Sequence, residues 1–331
     1  MSKKWLLLIP KILISAALIV FVLSKVDLAA VKARALQVAP EMLVLAAAVF
    51  LLQYVACAFR WRSALVPLGA QVRFPRLLHL FYIGNFFHQT LPASVGGDAV
   101  RTYLVYRDGV SLRTAISAIM LERVATVAAL VFMVAAIQPV FMGRVGEAAG
   151  AWIVPVAGVG VAAVIGGIVF IALLDRIPET FRRGKIMAAL ANLAVDTRTI
   201  FFSPRRALTA IGSAALGHAT LAMAVFVLAR GLNLAVGPID VLALFLPVLL
   251  ISALPISVAG WGVREGSMVY AFGLIGVAPA DALVMSVLYG FFTLAVALPG
   301  GLVWLASGTR AKDVAAGLGK AETPGMAHPG D

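Results

Sequence analysis

The chain has 331 residues, of which 62% are hydrophobic and 13% are charged, and its mean hydropathy is +1.01. A water-soluble domain cannot bury so much apolar surface, so we expect lipid to surround this protein. The net charge of +12 is spread over loops between apolar runs, which indicates membrane orientation and anionic lipid rather than nucleic acid as the partner.

Six apolar runs approach the roughly 20 residues that a helix needs to cross a bilayer. They cover residues 5–23, 40–58, 114–137, 151–174, 207–229 and 281–306. The second run ends at Phe59-Arg60-Trp61-Arg62, where tryptophan beside arginine predicts the membrane interface. We therefore predict an all-α polytopic membrane protein with about six spanning helices. Residues 1–306 are interpreted as one integral membrane domain, and the small, polar segment 307–331 as a disordered cytoplasmic tail.

Two further apolar runs are too short to cross the bilayer alone, and each is interrupted by proline and glycine before a second short run begins. The first interruption reads Leu91-Pro-Ala-Ser-Val-Gly-Gly-Asp-Ala-Val-Arg101, and the second reads Leu254-Pro-Ile-Ser-Val-Ala-Gly-Trp-Gly-Val-Arg264. Seven of the eleven positions are identical. We predict two re-entrant helical hairpins, with Asp98 as the N-cap of the helix after the first break. The predicted hinge residues are Pro92, Gly96, Gly97, Pro255, Gly260 and Gly262.

The positive charges orient the chain. If both hairpins return to the side from which they start, most of the 27 lysines and arginines fall on the side of the N terminus. This bias predicts that both termini are cytoplasmic in a bacterial inner membrane. The two hairpins then enter from opposite faces, which is typical of an inverted repeat with halves at about 40–137 and 207–306. Between the halves, the polar segment 175–206 has the spacing of an amphipathic surface helix.

Arg101 and Arg264 are the first candidates for a binding site. Each lies shortly after a break, near the start of a helix, where free N–H groups and the positive end of the dipole favour anions. A guanidinium binds phosphate in a bidentate manner, so an anionic lipid headgroup is the expected ligand. The alternative is that these arginines only pair with neighbours such as Asp98 or Glu265.

Other polar residues near the breaks complete the candidate substrate site. Glu122 and Arg123 lie inside a spanning run and point about 100° apart, so one of them is expected to partner Arg101 or Asp98 across the bundle. A purely structural salt bridge is the alternative. The remaining candidates either line a headgroup cavity or satisfy backbone groups freed by the breaks. They are Asn85, His88, Gln89, Ser94, Ser257 and Trp261.

Several kinds of chemistry have no motif in this sequence. There is no phosphate-binding loop for ATP, no nucleophile elbow and no zinc-ligand spacing, and the single cysteine, Cys57, excludes an internal disulfide. Acidic residues are too few and scattered for a two-metal site. We therefore expect no catalytic residue, no metal and no cofactor, and we do not expect an enzyme.

Three stretches carry a resemblance to a known family. They are residues 85–101 (NFFHQTLPASVGGDAVR), the pair Glu122-Arg123, and residues 254–266 (LPISVAGWGVREG). With these stretches the chain resembles the lysylphosphatidylglycerol synthase transmembrane family, also called the flippase-like domain family, over about residues 5–306. The resemblance implies a polytopic module that translocates or handles lipid. The best-known members carry a soluble aminoacyltransferase, whereas only a short tail follows Arg310 here, so we expect no synthesis of an aminoacylated lipid.

Three functions follow from these observations, with different experimental consequences. The first is a flippase-like transporter that moves an anionic or phosphate-linked lipid across the inner membrane. The second is a non-transporting membrane partner of a separate lipid or glycolipid biosynthetic enzyme. A membrane-embedded transferase is the third, and the missing catalytic constellation disfavours it.

Overall fold

The computed structural model describes residues 28–90, 95–145, 147–176, 185–253 and 260–306, which form eleven α-helices and no strand. The all-α prediction is therefore confirmed for this part of the chain. Short 3₁₀ turns follow two of the helices, at Val66–Leu68 and Leu174–Arg176. The helices are α1 (Leu28–Leu36), α2 (Pro40–Leu65), α3 (Phe74–Thr90), α4 (Val95–Arg107), α5 (Leu112–Val145), α6 (Glu147–Ala172), α7 (Lys185–Phe201), α8 (Pro204–Gly231), α9 (Pro238–Ser252), α10 (Val263–Gly273) and α11 (Pro279–Ala306).

Five segments within the described residues are long and apolar enough to cross a bilayer. They are Pro40–Leu68, Leu112–Gly143, Pro155–Ala172, Pro204–Gly231 and Pro279–Ala306. Each matches one of the predicted spans, and the sixth predicted span, 5–23, lies outside the described residues, as does the tail 307–331. Large apolar side chains such as Leu208 and Leu302 are exposed on the outside of the bundle. The chain is a multi-pass membrane protein whose outer surface suits lipid.

The helices α3 and α4 form the first hairpin. Arg76 near the start of α3 binds Asp108 just after α4, whereas Gly84 and Gly97 meet nearer the connection between the two helices. The two helices are therefore antiparallel, and the chain leaves the hairpin at the level where it entered.

In the second hairpin, formed by α9 and α10, the chain also leaves at the level where it entered. Arg34 on α1 donates to the backbone oxygen of Leu232, just after α8, at 2.9 Å and also binds Asp281 in the first turn of α11. The helices that flank this hairpin therefore end and begin at the same level. The re-entrant position of both hairpins in a bilayer stays a prediction.

The start of α4 corrects the prediction for the first break. The helix begins at Val95, so Gly96 and Gly97 lie in its first turn and do not interrupt it, and Asp98 is a first-turn residue rather than the N-cap. A Cβ on Gly97 would lie 2.5 Å from the backbone oxygen of Gly84. Gly97 therefore permits the close approach of α3 and α4 instead of ending a helix.

The second break matches its prediction more closely. Gly260 and Gly262 have φ angles of 79° and 84°, in the left-handed region that favours glycine, and α10 begins at the next residue, Val263. The prolines and serines of both motifs lie outside the described residues: Pro92, Ser94, Pro255 and Ser257.

The helix α2 continues beyond residue 58, the predicted end of the second span. The sequence Phe59-Arg60-Trp61-Arg62 resembles a membrane-interface cluster. However, α2 continues to Leu65, and the side chain of Trp61 is fully buried in the bundle. Arg60 also points inward, where it binds a carboxylate. Buried ion pairing, which a sequence window does not detect, extends this helix beyond its apolar run.

The two halves are wrapped around one another. The helices α2 and α8 pack closely in antiparallel orientation: Ala39 N–H donates to Gly231 O at 3.3 Å, and Ser63 Oγ lies 3.2 Å from Ser213 Oγ at the other end. Each hairpin also packs against the last helix of the opposite half, α3 on α11 and α9 on α5. This reciprocal packing relates the two sequence motifs in the same way, and the inverted repeat itself stays a prediction.

The contact between α3 and α11 gives a stability prediction. A Cβ on Gly300 would lie 2.2 Å from the backbone oxygen of Tyr82, so Gly300→Ala forces the two helices apart. We expect the free energy of unfolding to fall by about 1–3 kcal/mol, the usual cost of overpacking. Thermal unfolding of the purified protein in detergent measures this change.

The matched control is Gly212→Ala on α8, where no atom of the described residues lies within 4 Å of the added Cβ. At this open position alanine is expected to be neutral or slightly stabilising in a helix. Equal thermal stability of the two variants would contradict the close contact at Gly300.

Candidate functional site

Five charged side chains form one continuous network in the first half, which we call the arginine cluster. Its members are Arg60 on α2, Asp98 and Arg101 on α4, and Glu122 and Arg123 on α5. Glu122 accepts from Arg60 Nη2 at 2.9 Å and from Arg101 Nη1 at 3.1 Å. Asp98 accepts from Arg101 Nη2 at 2.6 Å and from Arg123 Nη2 at 2.7 Å. Arg101 therefore links two carboxylates, and each carboxylate links two arginines.

The charges of the cluster do not cancel. Three guanidiniums and two carboxylates leave a net charge of +1. The side chains of Glu122 and Arg101 are only 1% and 6% exposed, whereas that of Arg123 is 49% exposed. Buried charges are tolerated when they are paired, and the inner part of the cluster satisfies this condition. The excess positive charge is thus accessible at Arg123, the exposed end of the network.

Packing holds Arg101 in the middle of the cluster. Its guanidinium carbon lies 5.0 Å from the ring centre of Trp61 and 5.3 Å from that of Phe81. These distances suit cation–π contacts. A Cβ on Gly84 would lie 2.2 Å from Cγ of Arg101, so this glycine makes room for the arginine stem. A headgroup that reached Arg101 directly would have to displace one of its two carboxylates.

A cavity of about 470 Å³ opens beside the exposed end of the cluster. Asp98, Thr102 and Arg123 supply its polar lining, and Ala99 on α4 together with apolar side chains from α5, α6 and α7, such as Ile119 and Leu193, supplies the rest. One end of the cavity is therefore charged and the walls are apolar. This combination fits an amphipathic molecule with an anionic group and a hydrocarbon body.

The second half carries a smaller and neutral counterpart, which we call the Arg264 pair. Arg264 Nη2 donates to Glu265 Oε1 at 2.6 Å, and Ser286 Oγ lies 3.1 Å from the same carboxylate oxygen. The other oxygen, Oε2 of Glu265, accepts from the backbone N–H of Gly262 at 2.6 Å. The Arg264 guanidinium also lies 4.6 Å from the ring centre of Trp261. Arg264 and Glu265 are both buried, so this site has little opening of its own.

Equivalent positions in the two halves carry side chains of different type. Gly109 and Gly276 both have left-handed φ angles, of 92° and 82°, just before the last helix of each half. Thirteen residues after each glycine stand Glu122 and Tyr289 respectively. Glu122 binds Arg101 through its carboxylate, and Tyr289 faces Arg264 through its ring at 5.2 Å. Of these two matching sites, only the first includes an arginine that is half exposed, Arg123.

The predicted site residues form two separate groups in the structure. Asp98, Arg101, Glu122 and Arg123 meet in the arginine cluster. The sequence predicted that one of Glu122 and Arg123 partners Arg101 or Asp98, and in the structure both have such a partner: Glu122 pairs with Arg101, and Arg123 with Asp98. The second group, Trp261, Arg264 and Glu265, meets around the Arg264 pair.

The polar end of α3 lies close to the first group. The amide of Asn85 donates to the hydroxyl of Tyr54, and His88 packs against Gly97. Gln89 is half-buried. Asn85 is thus engaged inside the bundle, whereas His88 lies beside the start of α4, where Asp98 also lies.

Sequence reasoning missed Arg60, which completes the pairing of Glu122, and Trp61, which covers Arg101. Both were assigned to the membrane surface because they follow the apolar run of α2. The signal that identifies Arg60 is indirect. Glu122 lies within an apolar span and requires a cation from another helix, and an arginine at the end of a neighbouring span can reach it.

Comparison with known proteins gives one assignment. The family model for the lysylphosphatidylglycerol synthase TM region matches residues 8–301, which include both repeat motifs and every member of the arginine cluster. No curated protein matches the chain.

Proposed function

Because the chain belongs to the lysylphosphatidylglycerol synthase TM region family, we propose that it binds an anionic, phosphate-linked lipid and moves the headgroup across the bilayer. The family supports a lipid-related function in the membrane. The observation that carries the finer proposal is the accessible positive charge of Arg123 at the end of an apolar cavity. The lipid phosphate would contact Arg123, and the acyl chains would lie along the walls or in the bilayer.

The pairing around Arg123 suits reversible binding. Asp98 is shared between Arg101 and Arg123, so an incoming phosphate can take over Arg123 while Asp98 stays paired with Arg101. The site is then never left with an unpaired buried charge, which would be costly. This exchange gives the cluster two arrangements, one with and one without the headgroup, as a transport cycle requires.

The predicted repeat architecture supports a rocking motion of the two halves as the step that moves the headgroup. In transporters with inverted repeats, the two halves rock about a site between them. Here the packing of α3 on α11 and of α9 on α5 couples each hairpin to the opposite half. We propose that the movement takes place about the two breaks, with Arg123 in contact with the headgroup and the buried Arg101 holding the cluster together.

Binding of lipid to the purified protein tests the first step. We expect Arg123→Gln to weaken the affinity for anionic phospholipid by about tenfold or more, because a charge-assisted hydrogen bond contributes about 1.5–3 kcal/mol. Titration of lipid nanodiscs of defined composition, read by native mass spectrometry, measures the affinity.

The matched control is Arg113→Gln. Arg113 lies on the same helix and is 54% exposed, and its partner is Asp196 rather than a cluster residue. It does not line the cavity. If both variants lost the same affinity, general surface charge would explain the binding, and the site at Arg123 would be wrong.

The non-transporting alternative has its own structural support. The described part of α6 is largely exposed, with Val156, Val159 and Phe170 on its surface. Among the described residues, no atom lies within 4 Å of a Cβ added to Gly158 or Gly166, so this part of the chain leaves the face uncovered. Lipid or a partner enzyme can cover it. A stable copurifying enzyme, with no lipid movement by the chain alone, would favour the partner function.

A further inference from the structure

A second cavity, of about 460 Å³, lies at the open end of the first hairpin, and we call it the mouth cavity. Its lining comes from the start of α3, the end of α4 and the end of α11. Its titratable and charged side chains are Arg76, His79, Arg107 and Asp108, and apolar residues such as Ile83 and Val303 form the remainder. None of these residues belongs to the arginine cluster or to the Arg264 pair.

The charged groups of this cavity also leave an excess of positive charge. Arg76 donates to both carboxylate oxygens of Asp108, from Nε at 2.6 Å and from Nη2 at 2.9 Å. This bidentate pair fixes the Arg76 guanidinium at the rim and balances its charge. Arg107 adds a second guanidinium, 6.0 Å from the ring centre of Tyr103, so the lining sums to +1 with His79 neutral.

His79 adds a neutral hydrogen-bond donor. Burial and the positive charge of Arg76 lower the pKa of His79, so its imidazole is mainly uncharged at pH 7. Two guanidiniums and one imidazole therefore surround a space that has an apolar floor. Phosphate oxygens accept from all three groups, and arginine matches their geometry well.

We propose that the mouth cavity binds a phosphate group, carried by a membrane phospholipid or free in solution, through Arg107, Arg76 and His79. The apolar floor fits the glycerol and acyl portion of a lipid. Asp98 and Arg107 are nine residues apart on α4, about 13 Å along the helix axis. The mouth cavity is thus separate from the cavity beside Arg123, and its existence does not depend on lipid transport.

Equilibrium binding of two probes to the full-length protein in detergent tests this site. The probes are inorganic phosphate and a water-soluble, short-chain glycerophospholipid with an anionic headgroup. We expect Arg107→Gln to weaken binding by about tenfold or more, since it removes one charge-assisted contact. Arg113→Gln, which changes an exposed arginine outside both cavities, is expected to leave this affinity unchanged.

The two probes distinguish the two sources of phosphate. Binding of both, with each weakened by Arg107→Gln, indicates a general phosphate site, and binding of the lipid alone indicates a headgroup site. Unchanged affinity for both probes in Arg107→Gln would overturn the proposal, as would absence of binding by the folded wild-type protein.

Arg123→Gln separates this site from the proposed functional site. A short-chain lipid that binds both cavities gives two binding steps. Arg107→Gln removes the step at the mouth cavity, and Arg123→Gln removes the step at the other cavity. Loss of only the Arg107-dependent step in Arg107→Gln supports the mouth cavity whatever the result at Arg123. If Arg123→Gln alone abolished all binding, the mouth cavity would be excluded as an independent site.

Discussion

Glu122→Gln is expected to lower the free energy of unfolding by about 3–5 kcal/mol, the range measured when one partner of a buried ion pair is removed. Glu122 is the most buried member of the arginine cluster and accepts from both Arg60 and Arg101. The substitution keeps the shape of the side chain but raises the cluster charge from +1 to +2. Arg60 then has no carboxylate within the cluster, in a place that water reaches poorly.

Two variants isolate this electrostatic cause. Arg60→Gln combined with Glu122→Gln removes the surplus charge, so the double variant is expected to recover part of the stability lost in Glu122→Gln. Asp108→Asn breaks the more exposed pair with Arg76, whose side chain is 48% exposed, and should cost only about 0–1 kcal/mol. Unfolding in detergent followed by tryptophan fluorescence measures all three variants. Equal losses in Glu122→Gln and Asp108→Asn would contradict the assignment of Glu122 as the centre of the cluster.

Arg101→Gln is expected to weaken lipid binding strongly while the protein remains folded. Without Arg101, Arg60 still pairs with Glu122 and Arg123 still pairs with Asp98, so each buried carboxylate keeps one arginine. The cluster charge falls from +1 to zero, and Asp98 neutralises Arg123 completely. We expect the affinity for anionic phospholipid to fall by about tenfold or more.

A second substitution tests whether net charge is the reason. Adding Asp98→Asn to Arg101→Gln returns the cluster to +1 and releases Arg123 from its carboxylate. The double variant is expected to regain most of the affinity that Arg101→Gln loses. If lipid binding stayed lost in the folded double variant, Arg101 itself would have to contact the headgroup.

The corresponding substitution in the second half, Arg264→Gln, does not separate function from stability. Arg264→Gln leaves Glu265 as a buried carboxylate whose remaining hydrogen bonds within the described residues come from the hydroxyl of Ser286 and the N–H of Gly262. Loss of transport in this variant would therefore combine a functional effect with a loss of stability. The two arginines, which occupy matching positions in the repeat, differ in this respect because only Arg101 lies between two carboxylates.

Much of the fold follows from the sequence. Five predicted spans match helices in the structure, because a run of about 20 apolar residues has few alternatives to a membrane helix. The two motifs also mark the connections within two helix pairs, since proline and glycine interrupt a helix in an apolar run. The helix at 28–36 was not predicted, because it is short and only slightly hydrophobic, and it packs against α11, which is distant in the sequence.

The site could be predicted only in part. The pattern identified Asp98, Arg101, Glu122 and Arg123, because charges inside apolar segments are costly and need partners. It did not identify Arg60, since pairing between α2 and α5 depends on how distant segments pack. The exposure of Arg123 and the cavity beside it also depend on the placement of α6 and α7, which local patterns do not encode.

Lipid translocation by the purified protein in liposomes is the most direct test of the proposed function. Wild type, Arg123→Gln and Arg113→Gln would be compared in liposomes that contain a labelled phospholipid with an anionic headgroup. We predict movement of the labelled lipid by wild type and Arg113→Gln, and its loss in Arg123→Gln. No movement by folded wild-type protein across anionic, aminoacylated and polyprenyl-linked lipids would contradict the transporter function, and equal movement by Arg123→Gln would contradict the role of the cluster.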